Sequence, residues 1–150
     1  MPQSLDNILL HLVFSTKDRF PFIGGSIRPM LHAYLATVIR NTGCDCLRAG
    51  GVADHVHLAV QLSRTITVAA LVEELKTSSS KWIKTQSPEL RGFAWQRGYG
   101  VFSVGPSDLD ALLAYIENQE GHHQTRTFQD EYRAFLMKYR VACDERYVWD

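Results

Sequence analysis

Residues 44–62, CDCLRAGGVADHVHLAVQL, hold two runs of strand-forming residues around a short turn near Ala53–Asp54. A connection that short folds the second run back beside the first, so the chain has to contain an antiparallel hairpin. Before it, NILLHLVFST (residues 7–16) reads as a buried strand. SIRPMLHAYLATVIRNTG then spaces Ile27, Leu31, Leu35 and Val38 for a helix that Gly43 stops. After the hairpin, TVAALVEELKTSSSKWIKTQ is a second helix with Thr65 or Thr67 as N-cap, and GYGVFSVG is a further strand. Strand, helix, strand, strand, helix, strand is the split βαβ order. It predicts an α+β, ferredoxin-like (RRM-like) fold with an antiparallel sheet, helices on one face and the other face available for a ligand or partner. Two more helices follow: DLDALLAYIENQEGHH, opened by Pro106–Ser107–Asp108, and TFQDEYRAFLMKYR, where Thr127 and Asp130 suit a capping role.

The hairpin also carries the chemistry. Side chains alternate along a strand, so His55 and His57 share one face while Val56 and Leu58 share the other. Two imidazoles side by side suggest a metal ion; solvent-facing or hydrogen-bonded histidines are the plainer alternative. In YIENQ, Tyr115 and Gln119 stand four apart and therefore share a helix face. If that helix crosses the sheet face bearing the histidines, two imidazoles, an amide oxygen and a phenol converge. Such donors suit Mg²⁺ or Mn²⁺ with waters completing the shell. A phenol beside a Lewis acid is a candidate nucleophile, which points to phosphoryl transfer to tyrosine and the nicking of a nucleic-acid strand.

Composition sets the outer bounds. With 150 residues, 45% of them hydrophobic, and no repeat or linker, residues 1–150 are expected to form one unit. Sixteen basic residues balance sixteen acidic ones, so any nucleic-acid surface is a local patch and not a global field. Cys44, Cys46 and Cys143 fit no CxxC spacing and read as reduced thiols. No charged-then-apolar leader opens the sequence, and no apolar run reaches the roughly 18 residues a bilayer span needs, which predicts a soluble, cytoplasmic protein without a membrane partner.

DHVHL resembles the His-hydrophobic-His motif of the HUH endonucleases. WQRGYGVFSV, YIENQEGHH and TFQDEYRAFL, together with HLVFSTKDR and LVEELKTSSSKWI, resemble the small single-tyrosine transposases of bacterial insertion sequences of the two-hundred and six-hundred-and-five class. These blocks run from about Asn7 to Asp150. The resemblance implies that His55, His57 and Gln119 bind the metal and that Tyr115 attacks a phosphate of single-stranded DNA. It implies a 5′-phosphotyrosine product that reseals without ATP or any nucleotide cofactor. It further implies recognition of hairpins at element ends, and homodimers in which one subunit's tyrosine helix serves the other's histidine pair.

Around that site, Lys17, Arg19, Lys76, Lys81 and Arg97 are candidate phosphate contacts, with Lys84 and Arg91 nearby; each is equally readable as a solvated charge. The hydroxyls of TSSSK are further candidates for the DNA backbone, and Tyr99 is either a base-stacking ring or a strand cap. His122 and His123 point about 100° apart on a helix, cannot readily share one ion, and suit the helix end as favourable charge. His11 and His32 are assigned to structure, Tyr132 and Tyr139 to core packing. Three other functions stay open: a domesticated relative that processes dispersed palindromes, a non-catalytic single-strand binder on an RRM-like sheet, and a metal-dependent hydrolase that uses the histidines alone.

Overall fold

The computed structural model describes residues 2–123 and 126–150. Four strands, β1 (Leu9–Ser15), β2 (Asp45–Gly51), β3 (His55–Gln61) and β4 (Gly100–Val104), form one antiparallel sheet in the order β2-β3-β1-β4. This is the arrangement the strand–helix order predicts, with β1 and β3 as the two central strands. Helix α1 (Arg28–Asn41) and helix α2 (Val68–Lys84) are the two crossovers. Gly43 follows α1 at φ +87°, a left-handed conformation that ends the helix at little cost. Thr67 rather than Thr65 caps α2, its hydroxyl accepting from the Ala70 amide at 3.1 Å.

Alternation along the central strands divides the interior into two cores. Leu10, Leu12, Phe14, Val56, Leu58 and Val60 point to one face, where they meet Leu31, Leu35 and Ile39 of α1 and Leu71, Leu75 and Ile83 of α2. His11, Val13, Ser15, His55 and His57 point to the other. That second face is not open as the sequence suggested. Helices α3 (Leu109–Glu117), α4 (Gln119–His122) and α5 (Phe128–Lys138) cover it. Phe128, Tyr132 and Leu136 of α5 pack with Val13 and Phe102, and His55 and His57 are fully buried. A sheet face that carries three imidazoles and a serine still has enough apolar surface, from Val13 and Phe102, to attract an amphipathic helix.

The helix expected across residues 108–123 is in fact two. At Asn118 the backbone turns to φ −98°, ψ 26°, and the chain restarts as the single turn α4. Asparagine competes poorly in helix interiors because its side chain offers the backbone other partners. Thr127 caps α5 by accepting from the Asp130 amide at 3.2 Å, so Thr127 is the cap and Asp130 supplies the donor.

Helix α3 lies unusually close to the sheet edge because β2 has no side chain there. A Cβ added to Gly50 would stand 2.6 Å from the carbonyl oxygen of Ile116 and 2.7 Å from its Cγ2. At Gly51, φ is +150° and a Cβ would stand 2.3 Å from the His55 carbonyl oxygen. Glycine at 50 thus sets how deeply α3, the carrier of Tyr115, seats on the sheet. Gly50→Ala is expected to destabilise the fold by about 2 kcal/mol through this overpacking. Thermal denaturation should show a melting point several degrees lower.

Candidate active site

The site grows from the strand pair β1–β3. His55 and His57 present their Nε2 atoms to a common point, while each Nδ1 is held from behind. His55 Nδ1 lies 2.7 Å from Asp54 Oδ1, and His57 Nδ1 lies 2.7 Å from His11 Nε2. Over this point come the helices. From α4, Gln119 Oε1 accepts from His55 Nε2 at 3.1 Å, and Gln119 Nε2 reaches back to the Tyr115 carbonyl at 3.4 Å. From α5 comes Glu131, only 1% exposed. Its Oε1 lies 2.8 Å from His57 Nε2 and 3.5 Å from His55 Nε2. Its Oε2 accepts from His123 Nε2 at 3.1 Å and from the Tyr115 hydroxyl in a short hydrogen bond.

One chain therefore brings Tyr115, His55, His57 and Gln119 together, with Tyr115 and His57 ring centroids 5.8 Å apart. The resemblance implies that the tyrosine of one subunit serves the histidines of another; in this structure Tyr115 meets the histidine pair of its own chain. The break at Asn118 and the short path to α5 keep these groups local.

Glu131 and His123 join the site as well, though neither strand alternation nor helix spacing predicts them there. His123 was placed at a helix end as favourable charge, but beyond Asn118 the chain changes direction and its ring edge meets that of His55 at 4.4 Å between centroids. His122 stacks on Tyr115 at 4.4 Å. For Glu131 a signal did exist. Phe128, Tyr132 and Leu136 mark the buried stripe of α5, and Glu131 falls on that stripe as its one carboxylate.

Burial and charge work against each other here. Burial would lower His55, but hydrogen bonds and charge from Asp54 and Glu131 outweigh it and raise the pKa to about 9. For His57 burial wins over the pull of Glu131, and the pKa falls to about 4. Burial would raise Glu131, yet hydrogen bonds from His123, His55 and His57 hold it far below the usual carboxylate range. Tyr115 is pushed above its ordinary value by burial and by its bond to ionised Glu131. The resting phenol is therefore protonated and donates its hydrogen bond to the ionised carboxylate.

The donor set fits a divalent ion. Ligand atoms of His55, His57, His123 and Glu131 all lie within 4.8 Å of one another, and the Gln119 amide oxygen adjoins them. Imidazoles favour transition metals, and carboxylate and amide oxygens accept harder ions as well.

The remaining candidates divide. Lys17, Lys81 and Arg97 are exposed. Lys17 and Arg97 line one depression of about 450 Å³ with Trp95 and Trp149, whereas Lys81 belongs to α2, on the far side of the sheet from Tyr115. Arg19 adopts φ 57°, and its guanidinium stands 5.9 Å from the Trp149 ring. Lys76 is turned inward and donates to the carbonyls of Gln96, Arg97 and Gly98 at 2.8, 3.2 and 2.6 Å. Among the TSSSK hydroxyls, Ser79 is buried and accepts from the Trp95 indole at 2.9 Å. Tyr99 is part-exposed, with the Lys76 ammonium 5.6 Å from its ring. Cys44, Cys46 and Cys143 are free thiols.

With the geometry laid out, comparison with known proteins decides the family. The family model described as "Transposase IS200 like" matches residues 4–119. The chain belongs to the IS200-like transposase family. Relatives are the transposases for insertion sequence element IS200 of Salmonella typhimurium and Salmonella typhi, each 29% identical over 119 residues, spanning 75% of this chain and 77% of theirs. Among solved structures, a candidate transposase from Deinococcus radiodurans superposes with a TM-score of 0.62 at 22% identity, covering 79% of this chain and 98% of its own. A REP-associated tyrosine transposase bound to a REP hairpin also gives 0.62, at 14% identity, covering 96% of this chain and 90% of its own. These two likenesses establish the fold. The family match ends at Gln119, so Glu131 and His123 lie beyond it.

The pKa pattern predicts how the metal-free protein responds to pH. His55 is raised from 6.5 to about 9, so its contribution to stability is complete below pH 6.5 and is lost as pH rises through 9. His57 is lowered from 6.5 to about 4, so its contribution is present above pH 6.5 and is lost as pH falls toward 4. Lys76, drawn down by burial to about 8, acts against the alkaline loss above that pH. The comparison between wild type and Glu131→Gln isolates the site. Melting in chelator is expected to show wild-type stability declining from about pH 6.5 to 9, and in the variant a smaller decline that still begins near pH 6.5 but ends at lower pH.

Proposed function

We propose that residues 1–150 act as a unit that cleaves and rejoins single-stranded DNA, with Tyr115 as nucleophile. The observation that carries this reading is the Tyr115 hydroxyl bonded to Glu131, whose other oxygen meets His57. It places a phenol, a proton acceptor and a candidate metal site in one buried cluster. Tyr115 Oη attacks the phosphorus of a phosphodiester, the bond from phosphorus to the 3′ oxygen breaks, and the phenol proton passes to Glu131 Oε2. The 3′ oxygen leaves and takes up a proton from solvent as a free hydroxyl. A second 3′-hydroxyl then attacks the 5′-phosphotyrosine and gives up its proton to solvent, and Tyr115 recovers its proton from Glu131. Because the bond energy is kept in the phosphotyrosine, no nucleotide cofactor is called for. The release of the substrate phosphate from Tyr115 restores the resting hydrogen bond.

His55, His57 and Gln119 are the proposed ligands of a divalent ion, and Glu131 and His123 offer further donor atoms. Bound there, the ion supplies Lewis-acid stabilisation to the charge that develops on the phosphoryl oxygens. A set mixing imidazoles with oxygens favours Mn²⁺ over Mg²⁺, since manganese accepts both. Gln119 holds α3 to α4 through the Tyr115 carbonyl, and Asp54 orients His55.

The proposed substrate is DNA with hairpins at the ends of a mobile element, consistent with the hairpin bound by the REP-associated relative. Lys17 and Arg97 are the exposed cations best placed to hold its phosphates, so binding weakens with salt. One nucleophilic tyrosine per chain means that two simultaneous cleavages need two chains, and a homodimer is proposed on that ground. Each tyrosine then works with the histidines of its own chain. A cytoplasmic location fits this substrate, and no described helix is long and apolar enough to cross a membrane.

Labelled single-stranded oligonucleotides covering the ends of the element are mixed with protein and Mn²⁺ or chelator. A denaturation-resistant protein–DNA band is expected with Mn²⁺ only, absent in Tyr115→Phe, which should still bind the hairpin. Hairpin binding with no such band at any ion would leave a binding protein on this fold.

Mixing Tyr115→Phe with His57→Ala chains tests the arrangement of the site. Each variant lacks one half, and no covalent product is expected from the mixture. Recovery of the band would show that the tyrosine serves a partner's histidines.

A further inference from the structure

His55 and His57 are held from behind by different kinds of partner. At Nδ1, His55 meets a carboxylate, Asp54, at 2.7 Å. His57 meets another imidazole, His11 Nε2, also at 2.7 Å. A histidine that ligates through Nε2 must carry its proton on Nδ1, and the group that accepts this proton fixes the tautomer and the ring orientation. Asp54 is an acceptor in any case. His11 is one only when its own Nε2 is bare.

We infer that His11 is the positioning residue for His57: it accepts the Nδ1 proton and thereby frees Nε2 of His57 for a divalent ion. The inference rests on the metal site proposed above. Two hydrogens do not fit in a 2.7 Å gap between ring nitrogens, so one of the two facing nitrogens is bare. When His57 Nε2 is a ligand, the bare nitrogen is His11 Nε2, and the His11 proton resides on Nδ1. His11 Nδ1 has no hydrogen-bond partner among the described residues, so a proton there calls for an acceptor from outside the protein, such as a water. In the absence of the ion, Glu131 Oε1 at 2.8 Å accepts a proton from His57 Nε2 instead.

The sheet and its covering helix make the contact rigid. His11 stands opposite Ala59 in the β1–β3 register, two residues along from the pair Val13–His57. It therefore reaches His57 on the diagonal of the same face, over a side chain no larger than a methyl group. The two rings stack at 5.0 Å and 24°, and Phe135 of α5 closes edge-on against His11 at 5.0 Å and 85°. Both imidazoles are fully buried, so solvent does not replace either partner. His11 also lines a cavity of about 390 Å³ between β1, β4, α3 and α5, which has room for a water to receive the Nδ1 proton.

The test compares wild type, His11→Leu, His11→Gln and His57→Ala. Mn²⁺ affinity is read by electron paramagnetic resonance. Ring protonation is read by long-range ¹H–¹⁵N spectra of the Zn²⁺-loaded protein. His11→Leu is expected to bind Mn²⁺ about 10- to 100-fold more weakly. His11→Gln, whose amide oxygen stands in for Nε2, is expected to restore most of that affinity. In loaded wild type, His11 should be bare at Nε2 and protonated at Nδ1. Wild-type affinity in His11→Leu, or a proton on His11 Nε2 in the loaded protein, overturns the role of His11 alone. If wild type binds no Mn²⁺ that His57→Ala abolishes, the metal site itself falls, and this role with it. Should His11→Leu fail to fold, the wild-type spectra and His11→Gln decide.

Discussion

The interior of the site depends on one buried carboxylate. Glu131 touches His55, His57, His123 and Tyr115, so a single side chain on α5 ties strand β3 to helix α3 and to the end of α4. An ionised carboxylate at 1% exposure is costly unless hydrogen bonds replace its water. Three imidazoles and a phenol do so here. The same bonds hold Tyr115 in place and aim its hydroxyl proton at an acceptor. Without Glu131, the imidazoles would crowd one another with no anion between them.

That arrangement explains why both faces of the sheet are covered. The face toward α1 and α2 is an ordinary apolar core built by alternation along β1 and β3. The other face mixes Val13 and Phe102 with His11, His55 and His57, and α5 meets it with a matching mixture. Its Phe128, Tyr132 and Leu136 pack on the apolar part, while Glu131 answers the histidines. Glycine at 50 lets α3 approach the edge of the same face closely enough for Tyr115 to arrive from the other side. The site is accordingly enclosed rather than displayed, and access for a DNA strand has to come past α3 and α5.

Much of this was legible in the chain itself. The short turn between two strand-like runs and the helix–strand order on either side predict the sheet, and the strands run in the expected sequence. Alternation puts His55 and His57 on one face, and four-residue spacing puts Tyr115 and Gln119 together, although the helix breaks between them at Asn118. The contacts of Glu131 and His123 were not legible, because they come from the angle at which α5 returns over the sheet. Spacing along one element carries no information about where a different element lands. Lys76 shows the same limit: a lysine on a helix reads as solvent-facing, but the turn at residues 96–98 offers it three carbonyls.

By itself the sequence determined the secondary elements, their order, and which side chains share a face, since these follow from local periodicity and turn length. It also carried the residue blocks that mark the IS200-like family. Only the tertiary structure decided that the histidine-bearing face is buried, that Tyr115 meets the histidines of its own chain, and that His11 stands behind His57. Those facts depend on the packing of α3 and α5 against the sheet. Packing is a property of surfaces meeting across many residues, and no local pattern encodes the distance at which they come to rest.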